Sequence, residues 1–205
     1  PPCLNPYWAP ISPPPSRKSG LTAWRLPRQA CAGPASERVV AWTGAAKCWG
    51  DNSNGQLGDG TTTQRRTPAA VFGLGSNVGD ISAGGFHSCA LLASNGGTYC
   101  WGRNNYGQLG DGTADNRLTP TDVVAPTLVA SVHTGFMHSC FVSNEGTAAC
   151  WGRNHLGELG DGTLEPRFIP TIVLGAASGA QSLALGVSHT CLRWDSGDLS
   201  CWGSN

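Results

Sequence analysis

The tripeptide Cys-Trp-Gly stands at 48–50, 100–102, 150–152 and 201–203, at offsets of 52, 50 and 51 residues. A period of this length marks an array of supersecondary units, each too small to bury a core alone. The likeness extends downstream. Trp49-Gly50-Asp51-Asn52-Ser53-Asn54-Gly55-Gln56-Leu57-Gly58-Asp59-Gly60-Thr61 is matched by Trp101 to Thr113 and by Trp151 to Thr163, with Glu158 where the other copies have Gln56 and Gln108. Each copy then reaches a proline (Pro68, Pro120, Pro170) and a short β-branched run ending near Val71, Val124 and Val173. A second signature lies upstream: Gly84-Gly85-Phe86-His87-Ser88-Cys89, then Gly135-Phe136-Met137-His138-Ser139-Cys140, then Gly186-Val187-Ser188-His189-Thr190-Cys191.

These motifs resemble the repeats of the regulator of chromosome condensation family. That unit carries a Gly-x-x-His-Ser stretch, a Trp-Gly-x-Asn-x-x-Gly-Gln-Leu-Gly-x-Gly stretch and a later proline. The resemblance covers residues 44–205. It implies a propeller, a ring of seven blades in the family, of which this chain would hold about three to four. The expected fold is all-β: an incomplete β-propeller with four short antiparallel strands per blade. Asp80–Ala83, His87–Ala93, Thr98–Gly102 and Thr119–Val124 are the strands expected of one unit, with the turn at Ser94-Asn95-Gly96-Gly97. Cys89 and Leu91 point to one face, Ala90 and Leu92 to the other, so both faces are apolar, as in a blade between two neighbours. Trp101, Trp151 and Trp202 read as inter-blade core. Asp59, Asp111 and Asp161, each before Gly-Thr, read as turn caps. A partial ring leaves open edges, so self-association through them is expected. The last unit stops after its third strand, which suggests a fragment of a larger ring.

Residues 1–43 do not continue the pattern. Counting back from Cys48, a Cys is expected near 37 or 38, where Glu37 and Arg38 stand. Pro13-Pro14-Pro15 and the scattered Trp8 and Trp24 fit no strand template. The segment reads as a poorly ordered linker, or as the product of a wrong upstream reading frame. No basic, apolar, small-residue order of a signal peptide occurs in residues 1–30, and the first residue is Pro1.

Cysteines recur in pairs: Cys89 and Cys100, Cys140 and Cys150, Cys191 and Cys201. In the expected hairpin residue 89 falls opposite 100, where Cβ atoms stand about 4.5–5.5 Å apart, near the span of a disulfide. One bridge per blade suits an oxidising compartment: extracellular, periplasmic or cell surface. Two alternatives stay open. His87, Cys89 and Cys100 offer three soft ligands to zinc, but a structural site wants four and none recurs. Unbridged buried thiols would suit a cytoplasmic protein. Cys3, Cys31 and Cys48 find no partner by spacing. Neither metal nor cofactor is expected.

Composition excludes several functions. Charged residues are 13 % of the chain and the formal net charge is zero, about half the ~25 % of an average domain; this is no electrostatic nucleic-acid binder. No apolar run reaches 18 residues, so no membrane span is expected. Neither a Gly-x-Ser-x-Gly nor a phosphate-loop motif occurs, and the reading is not an enzyme. A scaffold that binds an unidentified protein or surface ligand through rim loops fits best. The positions that vary between copies supply the candidates: Arg103, Tyr106, Arg117, Arg153, His155 and Arg167. The alternative, implied by the family's founding member, is guanine-nucleotide exchange on a small GTPase. It would draw on the repeat histidines His87, His138 and His189, for which a structural hydrogen-bonding role is the plainer reading.

Overall fold

The computed structural model describes residues 30–31, 38–42, 44–125 and 128–205. Described residues form fifteen strands and no helix. The first sheet holds β1 (Ala30–Cys31), β2 (Arg38–Trp42), β3 (Ala45–Gly50) and β4 (Arg65–Ala70). The second holds β5 (Val78–Ala83), β6 (His87–Leu92), β7 (Thr98–Gly102) and β8 (Arg117–Asp122). The third holds β9 (Val129–Thr134), β10 (His138–Ser143), β11 (Ala148–Gly152) and β12 (Arg167–Ile172). The last has three strands, β13 (Ala180–Leu185), β14 (His189–Trp194) and β15 (Leu199–Gly203). Each sheet is an antiparallel meander in chain order. This is the blade of a β-propeller, and the ring is open.

The strands fall close to where the repeat places them: the first starts at Val78 rather than Asp80, the second ends at Leu92 rather than Ala93, and the fourth ends at Asp122 rather than Val124. The fourth strand of the unit starts at Arg117, not Thr119, because Arg117 pairs with Gly102 beyond a register break. Leu118, Thr119 and Pro120 lie within that break, where the missing proline N–H leaves no ladder bond unmade. Upstream of residue 44, β1 and β2 complete the first sheet. Register sets Val39 opposite Cys48, so the expected position near 37 or 38 is corrected to 39. The reason is a shorter hairpin, closing on Trp42↔Ala45, whereas Leu91↔Thr98 closes the next one. The proline-rich stretch and Cys3 lie outside the described residues.

Core forms between blades, not within them. Between the second and third sheets, Cys89, Leu91 and Cys100 face Val132, Phe141, Ala149 and Trp151, with loop residue Leu109 between. The junctions on either side repeat this with Leu57 and Trp101, and with Leu159 and Trp202. Trp101 and Trp151 are wholly buried. Trp202 is only half-buried, on the edge strand of a last sheet that has three strands among the described residues. Disulfides join Cys89–Cys100, Cys140–Cys150 and Cys191–Cys201 between the second and third strands of the second, third and last sheets. Cys48 is buried in the first junction. Each large indole needs a flat seat. At Gly110 (φ 71°) an added Cβ would lie 2.7 Å from the Trp151 indole nitrogen. Replacing Gly110 with Ala therefore combines a left-handed backbone with a clash that neither side can relax. We expect Gly110→Ala to lower stability by about 2–4 kcal/mol, read by urea unfolding of Trp fluorescence; an unchanged midpoint would contradict this packing.

Candidate functional site

Three long loops, 51–64, 103–116 and 153–166, join the third and fourth strands of successive blades on one rim. Each is fixed by the same polar network. In the middle loop Asn104 is wholly buried. Its amide nitrogen donates to Asp111 Oδ1 at 3.1 Å and to the Thr113 carbonyl at 3.0 Å, and its oxygen accepts the Leu109 N–H at 2.9 Å. Asp111 Oδ1 accepts from the Thr113 N–H and hydroxyl, and Oδ2 accepts from Arg117 Nε at 2.8 Å. Asn52, Asp59, Thr61 and Arg65 repeat the arrangement, as do Asn154, Asp161, Thr163 and Arg167. Burial alone would raise these aspartates; the Thr and Arg hydrogen bonds outweigh it and hold all three below the usual carboxylate range. Turn capping by the aspartates was legible in the sequence. The buried asparagines and Arg65 were not singled out, although Asn two residues after the Cys-Trp-Gly motif and Arg six residues after the Asp recur in every copy.

The candidate residues separate into two sets. Arg117 and Arg167 are ion-paired to Asp111 and Asp161 and tie each loop to its own outer strand. Arg153 pairs with the fully buried Glu158 at 2.8 Å and donates to Ser188 Oγ at 2.6 Å. The Gln-to-Glu change at 158 is thus matched by Arg153, whereas Gln56 donates to Asp51 instead. The other set faces outward. Arg103 lies over the Phe86 ring, 5.6 Å from its centroid. Tyr106 meets His155 of the next loop edge-to-face, with ring centroids 5.4 Å apart.

Two of the repeat histidines are buried in the junctions, and His189 is exposed on the open last sheet. His87 Nε2 lies 2.7 Å from Ser139 Oγ, and His138 Nε2 lies 3.0 Å from Thr190 Oγ1, each in the next blade. Ser139 donates its one proton to the Gln108 carbonyl, and Thr190 to that of Glu158. Each hydroxyl therefore accepts from the imidazole, which fixes the Nε2–H tautomer and leaves Nδ1 buried without a partner among the described residues. Burial, with His138 nearby, pushes His87 down to about 3. Burial also pushes His138 down to about 4; the Glu158 carboxylate opposes the shift, and Arg153 and His189 add to it. Both are neutral at physiological pH. Among the described residues no group of three or more His, Cys, Asp or Glu is placed to hold a metal, and no helix is long and apolar enough to cross a membrane.

Such a blade array, with loops of fixed backbone and variable tips, defines a propeller-repeat protein. The chain belongs to the regulator of chromosome condensation (RCC1) repeat family, whose sequence model matches residues 45–91, 95–142 and 145–193. Each match runs from the third strand of one blade to the second strand of the next, so it spans a junction. The chain is 41 % identical over 75 residues to the probable E3 ubiquitin-protein ligase HERC4 of Homo sapiens, covering 36 % of this chain and 7 % of that protein. It is 32 % identical over 120 residues to the RCC2 homolog of Danio rerio, covering 52 % and 24 %. The chain thus spans a quarter or less of these relatives. Among solved structures, yeast RCC1 (Prp20) bound to Kap60 superposes with a TM-score of 0.73 at 24 % identity, over 86 % of this chain and 43 % of that one. Human WBSCR16 gives 0.72 at 21 %, over 82 % and 44 %.

Stability should follow the buried histidines. In the unfolded chain each imidazole binds its proton near pH 6.5; in the fold it does so only near 3 or 4. The folded state binds fewer protons in between. Stability is therefore full above about pH 6.5 and falls with decreasing pH by about 1.4 kcal/mol per unit for each histidine. Urea midpoints at pH 7.5 and 5 should show that fall. Ser139→Ala should remove about 1–3 kcal/mol at pH 7.5, and Ser139→Thr should restore it, since Thr190 fills the equivalent place. A pH-independent midpoint would refute the assignment.

Proposed function

We propose that the chain is a non-enzymatic scaffold that binds a protein partner through the loop rim, with Tyr106 and His155 at the centre of the contact. The Tyr106–His155 pair carries this reading. Two aromatic groups from adjacent loops form one amphipathic patch, and each loop backbone is already fixed by its Asn–Asp–Thr–Arg network. Rigid anchors of this kind lose little entropy on binding. Tips that differ between copies, Asn105-Tyr106 against His155-Leu156, give each blade its own contact chemistry. Relatives support protein binding in general: yeast RCC1 (Prp20) is known in complex with Kap60, and Prp20p has binding properties to Gsp1p and histones. The exchange-factor alternative has less support, because His87 and His138 are buried and engaged by hydroxyls of the next blade. The three disulfides support an oxidising compartment: extracellular, periplasmic or cell surface.

A photo-crosslinking amino acid at position 106, compared with one at 122 on the outer strand, tests the rim. A discrete protein adduct from position 106 alone is expected. Tyr106→Ala should then weaken affinity for that partner at least tenfold, with its urea midpoint unchanged. Equal adducts from both positions, or stimulated nucleotide release from a small GTPase, would overturn the reading.

A further inference from the structure

The opposite rim carries a second site. There the hairpin turn of each blade packs on the start of the next blade's first strand: Cβ atoms added at Gly96 and Gly146 would meet the backbones of Val129 and Gly179. The first strands of the last three sheets, β5, β9 and β13, bulge at the same place. Val78 and Asp80 pair with Leu92 and Leu91, so Gly79 is skipped; Ala130 and Gln181 are skipped in the same way. A bulge re-aims the residue that the ladder leaves out. All three skipped residues line one groove of about 790 Å³, within the usual span of ligand sites, ~300–1,000 Å³.

The chemistry of the groove selects its ligand. Leu91, Leu128 and Val129 supply apolar wall. Asn144, Gln181 and Ser182 each offer both a donor and an acceptor, while Ser131 Oγ is bonded to His133 and Asn95 Oδ1 accepts the Gly97 N–H. No lysine or arginine lines it, and its one imidazole, His133, is bonded through Nε2 to Ser131 Oγ at 3.0 Å. No tyrosine, phenylalanine or tryptophan lines it, and its one aromatic ring is His133. Asp80 is its one carboxylate. Two further charges on this rim, Glu145 beside Asn144 and Asp195 against Gly179, are negative, and Arg193, in register with Ser182, is positive. We infer that this groove binds an extended peptide segment whose backbone answers the amides and hydroxyls, and which sets a lysine or arginine against Asp80. This surface is separate from the loop rim and does not depend on Tyr106 or His155.

The test uses the full chain and an array of acetylated octapeptides with Lys, Arg, Glu or Ala fixed at one central position. Binding to the Lys and Arg peptides is expected, and none to the Glu peptides. Asp80→Asn should lower that binding at least fivefold. Ala130→Tyr, at an exposed bulge position where the larger side chain fills the groove without entering a core, should abolish it. Tyr106→Ala should leave it unchanged, and the urea midpoints of all three variants should match the parent. Equal binding of Lys and Glu peptides, full binding by Ala130→Tyr, or competition by a neutral oligosaccharide but not by the Lys peptides would overturn the assignment.

Discussion

Gln56, Gln108 and Glu158 each turn a main-chain carbonyl into the neighbouring sheet. There it accepts two hydrogen bonds: the indole N–H of Trp101, Trp151 or Trp202 at 2.7–2.9 Å, and the hydroxyl of Ser88, Ser139 or Thr190 at 2.8–2.9 Å. A buried carbonyl left unmet would be destabilising, so a blade and the loop before it hold together or come apart together. The imidazoles of His87 and His138 add a third member to this tie from the preceding blade. Glycine at 58, 110 and 160 lets the indole lie flat on the loop that supplies the carbonyl. Most of the apolar burial in the molecule sits around these three points.

This arrangement explains why the loops are rigid without being part of any sheet. One end of each loop is anchored by the carbonyl tie to the next blade. The other is anchored by Asp to the Arg at the head of its own outer strand. Around these fixed points the loop residues at 53–54, 105–106 and 155–156, and those at 62–64, 114–116 and 164–166, differ between copies. Polar satisfaction of the backbone thus separates structural positions from positions open to specificity. The same logic gives the molecule two rims of different character: fixed loops with aromatic and guanidinium groups on one, and bulged strand starts with amides, hydroxyls and carboxylates on the other.

Much of the fold was legible because repetition exposes it. The strand positions, the opposed cysteines and the tryptophan core all follow from period and alternation. What stayed hidden was the identity of partners across the junction. Arg117 and Arg167 look like variable-loop cations until Asp111 and Asp161 are seen beside them. Arg65, at the same offset from Asp59, shows that the position belongs to the scaffold. Ser139 reads as an ordinary small residue next to a cysteine. Its role appears only when the fold brings His87, one period upstream, to within hydrogen-bonding distance. Position 39 was misplaced because the first hairpin is shorter than the others, and hairpin length is set by local turn geometry that the repeat does not encode.

The tie at each junction is tested most directly by hydrogen exchange at the tryptophan indoles, followed by nitrogen-resolved NMR on the folded chain. If the Gln56 and Gln108 carbonyls hold Trp101 and Trp151 as described, those two Nε1 protons exchange only through global unfolding. Trp202, half-buried on the open last sheet, exchanges faster, and Trp194, bonded only to the exposed Ser200 hydroxyl, faster still. Exchange at Trp101 and Trp151 as rapid as at Trp194 would mean that the carbonyl tie does not hold the blades together.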